Sequence, residues 1–208
     1  MKRFLIFSLF LMMGTSFLTA QTASELLNKV SNTYQNANSY YIKFNMTDNQ
    51  GSATESGELF AAKEKYSLEI IDIRQMFDGK TLYTITKDDK EVTVSKPDAD
   101  SNDFLSPTKV LNFYKTNFKA VMDKTETVNG KKVQFLKLTP KEKSEVEYAL
   151  IGIYTGENTL YQYKEFLTGG INRTITVKEY LENLIIPKAL FKFDQSKFEK
   201  DGYIVTPI

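Results

Sequence analysis

Apolar side chains recur at every second position through most of this chain, and that period limits it to folds built from strands with one greasy face. Tyr40, Ile42, Phe44 and Met46 alternate with Tyr41, Lys43, Asn45 and Thr47. Successive side chains of an extended strand point to opposite sides, so the first set shares a face. The pattern continues through Leu59 and Ala61, then through Tyr66, Leu68 and Ile70. Leu82 to Thr86 and Glu91 to Ser95 read as a hairpin about the charged tip Lys87 to Lys90. Further strands are expected at Val121 to Thr127, Val133 to Leu138, Val146 to Tyr154, Thr159 to Leu167, Ile171 to Tyr180 and Lys188 to Phe193. Turn signals stand at Asp78-Gly79, Asn129-Gly130, Thr155 to Asn158 and Gly169-Gly170. About ten antiparallel strands exceed what one flat layer holds, so the sheet is expected to curl. The strand from Val146 is apolar on both faces, which suits a strand covered on each side.

The period becomes helical at two places. Thr22 and Glu25 form a capping box, and Leu26, Leu27, Val30 and Tyr34 follow on one stripe to about Gln35. In mid-chain Ser106 is a cap before Pro107, and Val110, Leu111, Tyr114 and Phe118 repeat at helical spacing. The expected fold class is mainly β (α+β). A curved antiparallel sheet forms an incomplete β-barrel, and two amphipathic helices act as a lid on its concave side.

Residues 1–20 have the make-up of an export signal. Lys2 and Arg3 precede an apolar run from Phe4 to Met13, and cleavage is expected after Ala20. The mature chain, residues 21–208, is long enough for one domain and short for two. With no cysteine it carries no lipid on sulfur and no disulfide, so a free exported protein of the periplasm is expected. The absence of histidine and cysteine removes Ser-His-Asp and Cys-His nucleophiles and the usual zinc ligands. A hydrolase built on carboxylates is motivated only by the 26 Asp and Glu, and no local signature marks it, so no enzyme, cofactor or metal is expected. Asp98, Asp100 and Asn102 open like a calcium loop. Asp103 and Lys109 then stand where glycine and glutamate are needed, which leaves a solvated acidic loop. Loss of Lys2 and Arg3 takes the formal charge from +1 to −1, and no global field favours nucleic acid.

The alternating apolar residues are the one feature with functional reach. Ile42, Phe44, Met46, Leu59, Tyr66, Leu68 and Ile70 on the strands, with Leu27, Val30 and Leu111 on the helices, either fill a core or line a lipid-binding cavity. Two short helices have few apolar side chains to set against a sheet that presents several per strand, which favours incomplete or movable cover.

In order along the chain stand an N-terminal amphipathic helix, Phe44 to Asp48, Gly57-Glu-Leu-Phe60, Asp78-Gly-Lys-Thr-Leu-Tyr83 and Ser106-Pro107. Leu138-Thr-Pro-Lys141, Phe191-Lys-Phe193 and Gly202-Tyr-Ile-Val205 complete the set. It resembles the LolA-type outer-membrane lipoprotein carriers over nearly the whole mature chain. The resemblance implies a carrier whose apolar cavity holds the acyl chains of lipoproteins between the inner and outer membranes, and a monomer is expected. It also implies an inner-membrane ABC transporter as donor and an outer-membrane acceptor. A periplasmic sensor of the same fold, binding a lipid signal or a membrane regulator, is the alternative. Family members often carry Arg-Pro where this chain reads Ala61-Ala-Lys63-Glu64, and Lys63 keeps the charge of that lid-tying arginine without its planar fork of donors.

Overall fold

The computed structural model describes residues 22–96 and 107–207. Helix α1 covers residues 22–36, followed by β1 (Ser39–Asp48), β2 (Glu55–Ala62), β3 (Lys65–Ile70), β4 (Ile73–Phe77), β5 (Leu82–Thr86) and β6 (Glu91–Ser95). Helix α2 (Pro107–Asn117) leads straight into β7 (Phe118–Val128), then β8 (Lys131–Pro140), β9 (Val146–Tyr154), β10 (Thr159–Leu167) and β11 (Asn172–Glu182). A 3-10 turn (Lys188–Phe191), α3 (Gln195–Lys200) and β12 (Ile204–Pro207) follow. The expected export signal, the acidic loop from Asp98 to Asp103 and the Ser106 cap lie outside the described residues.

The strands form one sheet in the order β12-β6-β5-β4-β3-β2-β1-β11-β10-β9-β8-β7. Two antiparallel meanders, β1 to β6 and β7 to β11, meet where β1 pairs β11, with Ile42 opposite Tyr180. The outermost strands of the order, β12 and β7, do not pair with each other, so the curved sheet stays open. Irregularities in the β1/β11, β9/β10 and β7/β8 ladders supply extra residues on one side, which bends the strands. The β7–β8 link is the two-residue turn Asn129-Gly130, whose φ angles of 51° and 76° match the twist of the flanking strands. At Gly57 on β2 the Phe44 ring of β1 lies flat on the backbone, so closely that a Cβ there would collide with it.

One sheet carries two cores on opposite faces. The concave face presents Tyr40, Ile42, Phe44, Leu59, Ala61, Tyr66, Leu68, Leu136, Leu138, Ala149, Ile151 and Ile153 to α1 and α2. Helix α1 answers with Ala23, Leu27, Val30 and Tyr34 at spacings of three and four, the stripe read from the sequence extended by one turn. On the back, Met76, Ile85 and Val92 are covered by Phe193 and by Phe198, Tyr203 and Val205 of the α3–β12 segment.

Several elements differ from expectation. The segment Lys188 to Phe193 is not a strand but a 3-10 turn that buries Phe191. Helix α3 and the strands β4 and β12 are additional, and β12 pairs β6 in parallel. Phe118 starts β7 rather than extending the mid-chain helix. The strand β9 is buried on its concave face, and on its back at Gly152 alone, where Phe135 and Tyr161 cover it. Tyr148, Leu150 and Tyr154 on its back are half-buried, with Lys137 Nζ 4.4 Å from the centre of the Tyr148 ring and Lys131 Nζ 5.4 Å from that of Tyr154. Lysine stems take the place of a second layer there.

Candidate functional site

The concave face and its two helices gather the residues that the alternation singled out. Leu27 and Val30 on α1, Leu111 on α2, and Ile42, Phe44, Leu59, Tyr66 and Leu68 on the strands are all buried in one cluster, and Ile70 packs half-buried against it. Met46, at the far end of β1, is half-buried and not part of the cluster. These side chains fill the space between sheet and helices, so in this state they pack against one another.

Each lid helix is tied to β10 by a tyrosine hydroxyl. On α1, Tyr34 is almost wholly buried, and its oxygen accepts a hydrogen bond of 3.1 Å from the Leu160 backbone N–H. Its ring sits edge-on to Tyr40 and Tyr180, both at 5.3 Å. On α2, the Tyr114 hydroxyl is hydrogen-bonded to that of Tyr163, which donates to Glu165 Oε1 at 2.8 Å. Burial pushes the Tyr114 hydroxyl up to about 12, and burial likewise raises Tyr34, Tyr163 and Tyr180 above the ordinary 10.0. All four are therefore neutral hydrogen-bonding groups at physiological pH. The helical stripes had placed Tyr34 and Tyr114 against the sheet. Their role as ties went unread, although tyrosine in place of phenylalanine on a buried stripe is the signal that a hydroxyl has a partner.

Lys63 does not stand in for a latch. It occupies the β2–β3 turn with φ of 53°, is exposed, and takes part in none of the ion pairs among the described residues. It lies instead on the rim of a pocket of about 600 Å³ where α1 ends, the β2–β3 turn reverses and α2 passes. The floor is apolar, with Tyr34, Tyr40, Ala61, Tyr66 and Phe77, and is continuous with the concave core. Gln35, Asn36, Asn38 and Asn112 contribute amides to the rim beside Lys63, Glu64 and Lys65. Such a mouth can admit an apolar chain while hydrogen-bonding a polar group attached to it. Among the described residues no cluster of acids is arranged to hold a metal, and no helix is long and apolar enough to cross a membrane.

No family model matches the sequence. An uncharacterized protein of Methanocaldococcus jannaschii is 27% identical, and the alignment takes in 98% of this chain but 62% of that protein. The chain thus spans less than two thirds of the curated relative it matches. Among solved structures, an uncharacterized conserved protein from Thermus thermophilus aligns with a TM-score of 0.64 at 8% identity, over 90% of this chain and 99% of that one. The MucA/MucB complex of Pseudomonas aeruginosa aligns at 0.51 and 12% identity, over 83% of this chain and 61% of the matched chain. A LolA superfamily protein from Nitrosomonas europaea is also among the matched folds, at 0.38 and 10% identity, over 82% and 97% of the two chains. The likenesses to the Thermus thermophilus protein and to the MucA/MucB complex show a common fold alone, and function has to be argued from the site.

Proposed function

We propose that this chain is a periplasmic carrier that binds the acyl chains of lipoproteins under its helical lid and ferries them from inner to outer membrane. The observation that carries the reading is the 600 Å³ pocket, whose aromatic floor runs into the lidded core while its rim offers amides, two lysines and the Glu64 carboxylate. An acyl chain entering there meets apolar surface, and the polar group it hangs from stays at the mouth. Each methylene taken out of water contributes about 0.8 kcal/mol, so about ten of them supply about 8 kcal/mol. Lifting the lid exposes apolar side chains, but the acyl chain takes the place of the helix stripe against the sheet. The exchange is therefore between two apolar partners, with the tyrosine hydroxyl ties as its polar cost. This is binding without chemistry. Donor and acceptor, an ABC transporter and an outer-membrane receptor, follow from the sequence resemblance.

A second reading is a periplasmic sensor that uses the same lidded face, or another surface, to bind a regulator. Its support is the fold shared with a chain of the MucA/MucB complex, a protein solved with a protein partner. Incubating spheroplasts with purified mature protein separates the two. The carrier reading expects soluble complexes of the protein with acylated lipoproteins. Recovery of one membrane-anchored regulator, with every lipoprotein left in the membrane, favours the sensor.

A further inference from the structure

The sheet is split between β10 and β11. Their ladder runs only from Phe166 opposite Asn172 to Gln162 opposite Thr176. Beyond that point β11 continues to Glu182 paired with β1 alone, and β10 reaches back to Thr159 paired with β9 alone. The strands diverge around a groove of about 900 Å³, lined by Val177, Tyr180 and Leu181 from β11, Leu160 and Tyr161 from β10, and Thr33 of α1. On the β10 side the Leu160 N–H is taken by the Tyr34 hydroxyl in place of a strand partner. On the β11 side the open edge runs from Val177 to Glu182, about 20 Å of backbone at roughly 3.3 Å per residue.

Apolar side chains stand in solvent beside this edge. Leu181 is 42% exposed and Ile185 fully so. Yet the backbone between them is pinned, since Asn183 N donates to Ser39 O at 2.7 Å and Ser39 Oγ to Leu184 O at 2.6 Å. An ordered backbone that holds apolar side chains in water next to an unpaired strand edge is poised for a partner. The sheet's outer edges carry interruptions of their own, as the β11 edge does at Lys178, the extra residue where Lys43 faces Glu179 and Phe44 faces Val177. β12 ends at Pro207, which has no N–H to donate, and β7 is interrupted by a bulge after Met122 that carries Asp123 and Lys124.

We propose that the groove between β10 and β11 is a docking site for an extended polypeptide segment, which adds as a strand to the open edge of β11 and seats apolar side chains against Leu181. Alternating N–H and C=O groups along an edge are matched by another backbone, not by a lipid or a sugar. Charge does little to select the segment, because the exposed Lys178 and Glu179 on the groove wall have opposite signs. Lys131 is already paired with Glu157 at 2.8 Å, and Tyr180 donates to Glu182. Apolar content should govern the choice. The site is separate from the acyl pocket and does not depend on lipid carriage.

The probe is a phage-displayed library of random nine-residue peptides selected on the folded mature protein. Enriched peptides are remade with N-methyl groups on alternate residues, in each of the two registers. Strand addition predicts at least tenfold weaker binding in one register or both, a similar loss with Leu181→Lys, and slowed amide exchange confined to residues 177–182 and their neighbours in the groove. Leu181 is exposed, so that variant keeps its fold, with circular dichroism as the check. A selection that enriches nothing overturns the proposal. So do binders indifferent to both methylated registers and to Leu181→Lys, or protection that appears elsewhere on the sheet.

Discussion

Phe44 does two jobs that a single substitution separates. Its ring covers the backbone at Gly57 and forms part of the concave core, while Lys43, one residue away, points to the back of the sheet. Gly57→Ala is expected to destabilise the fold by about 1–3 kcal/mol, because the new methyl forces the Phe44 ring out of a packed position. Urea denaturation measures it, and an unchanged midpoint would mean that the ring moves at no cost. Tyr34→Phe leaves the Leu160 N–H without its acceptor, for a loss of about 1–3 kcal/mol. Because that bond ties α1 to β10, faster amide exchange should appear in α1 before it appears in β8 or β9. Uniform acceleration across all elements would show that the hydroxyl has no special hold on the lid.

The elements divide according to how many of their faces are covered. β1 to β3 and β5 to β11 were legible in the sequence because each strand has a contrast between faces, an apolar run or a strong turn at its end. β4 was not, since Met76 faces the back core and Phe77 the concave one, and two adjacent buried residues erase the alternation. The turn at Lys188 to Phe191 carried apolar residues at strand-like spacing, but Pro187 before it and the Asp194 cap after it fit a turn and a short helix. A parallel pairing of β12 with β6 depends on distant residues and leaves no local mark. Nine of the ten candidate lipid residues do come together on the concave face, whereas the tyrosine ties and the split between β10 and β11 exist only once strands have found their partners. The back core gives an element-scale prediction. Truncation after Gly202 removes Tyr203 and Val205 from Met76, Ile85 and Val92, at a cost of about 2–4 kcal/mol for lost apolar burial. Acyl binding at the opposite face should persist in the folded fraction, and its complete loss would mean that the two faces are not independent.

At the scale of the whole molecule, neutral tyrosines join the lid to the sheet, which fixes how the fold responds to alkali. Unfolded tyrosines release their protons near pH 10, whereas burial holds the Tyr114 proton to about 12 and raises Tyr34, Tyr163 and Tyr180 as well. Their contribution is complete below pH 10 and is lost as pH rises through the folded values. Tyrosinate absorbance and loss of circular dichroism should therefore share a cooperative transition above pH 10, and full ionisation with the fold intact would contradict these burials. The central claim is that the concave face under the lid binds acyl chains. Titration of the detergent-free mature protein with a fluorescent fatty-acyl probe, beside folded Phe44→Glu and Lys43→Glu, tests it most directly. A charge among acyl chains must be desolvated or kept hydrated, at a cost of several kcal/mol, about 2 or more on protein scales. Saturable binding to wild type and Lys43→Glu, weakened at least thirtyfold in Phe44→Glu, is the predicted result. No binding to wild type, or equal binding to both variants, would contradict it.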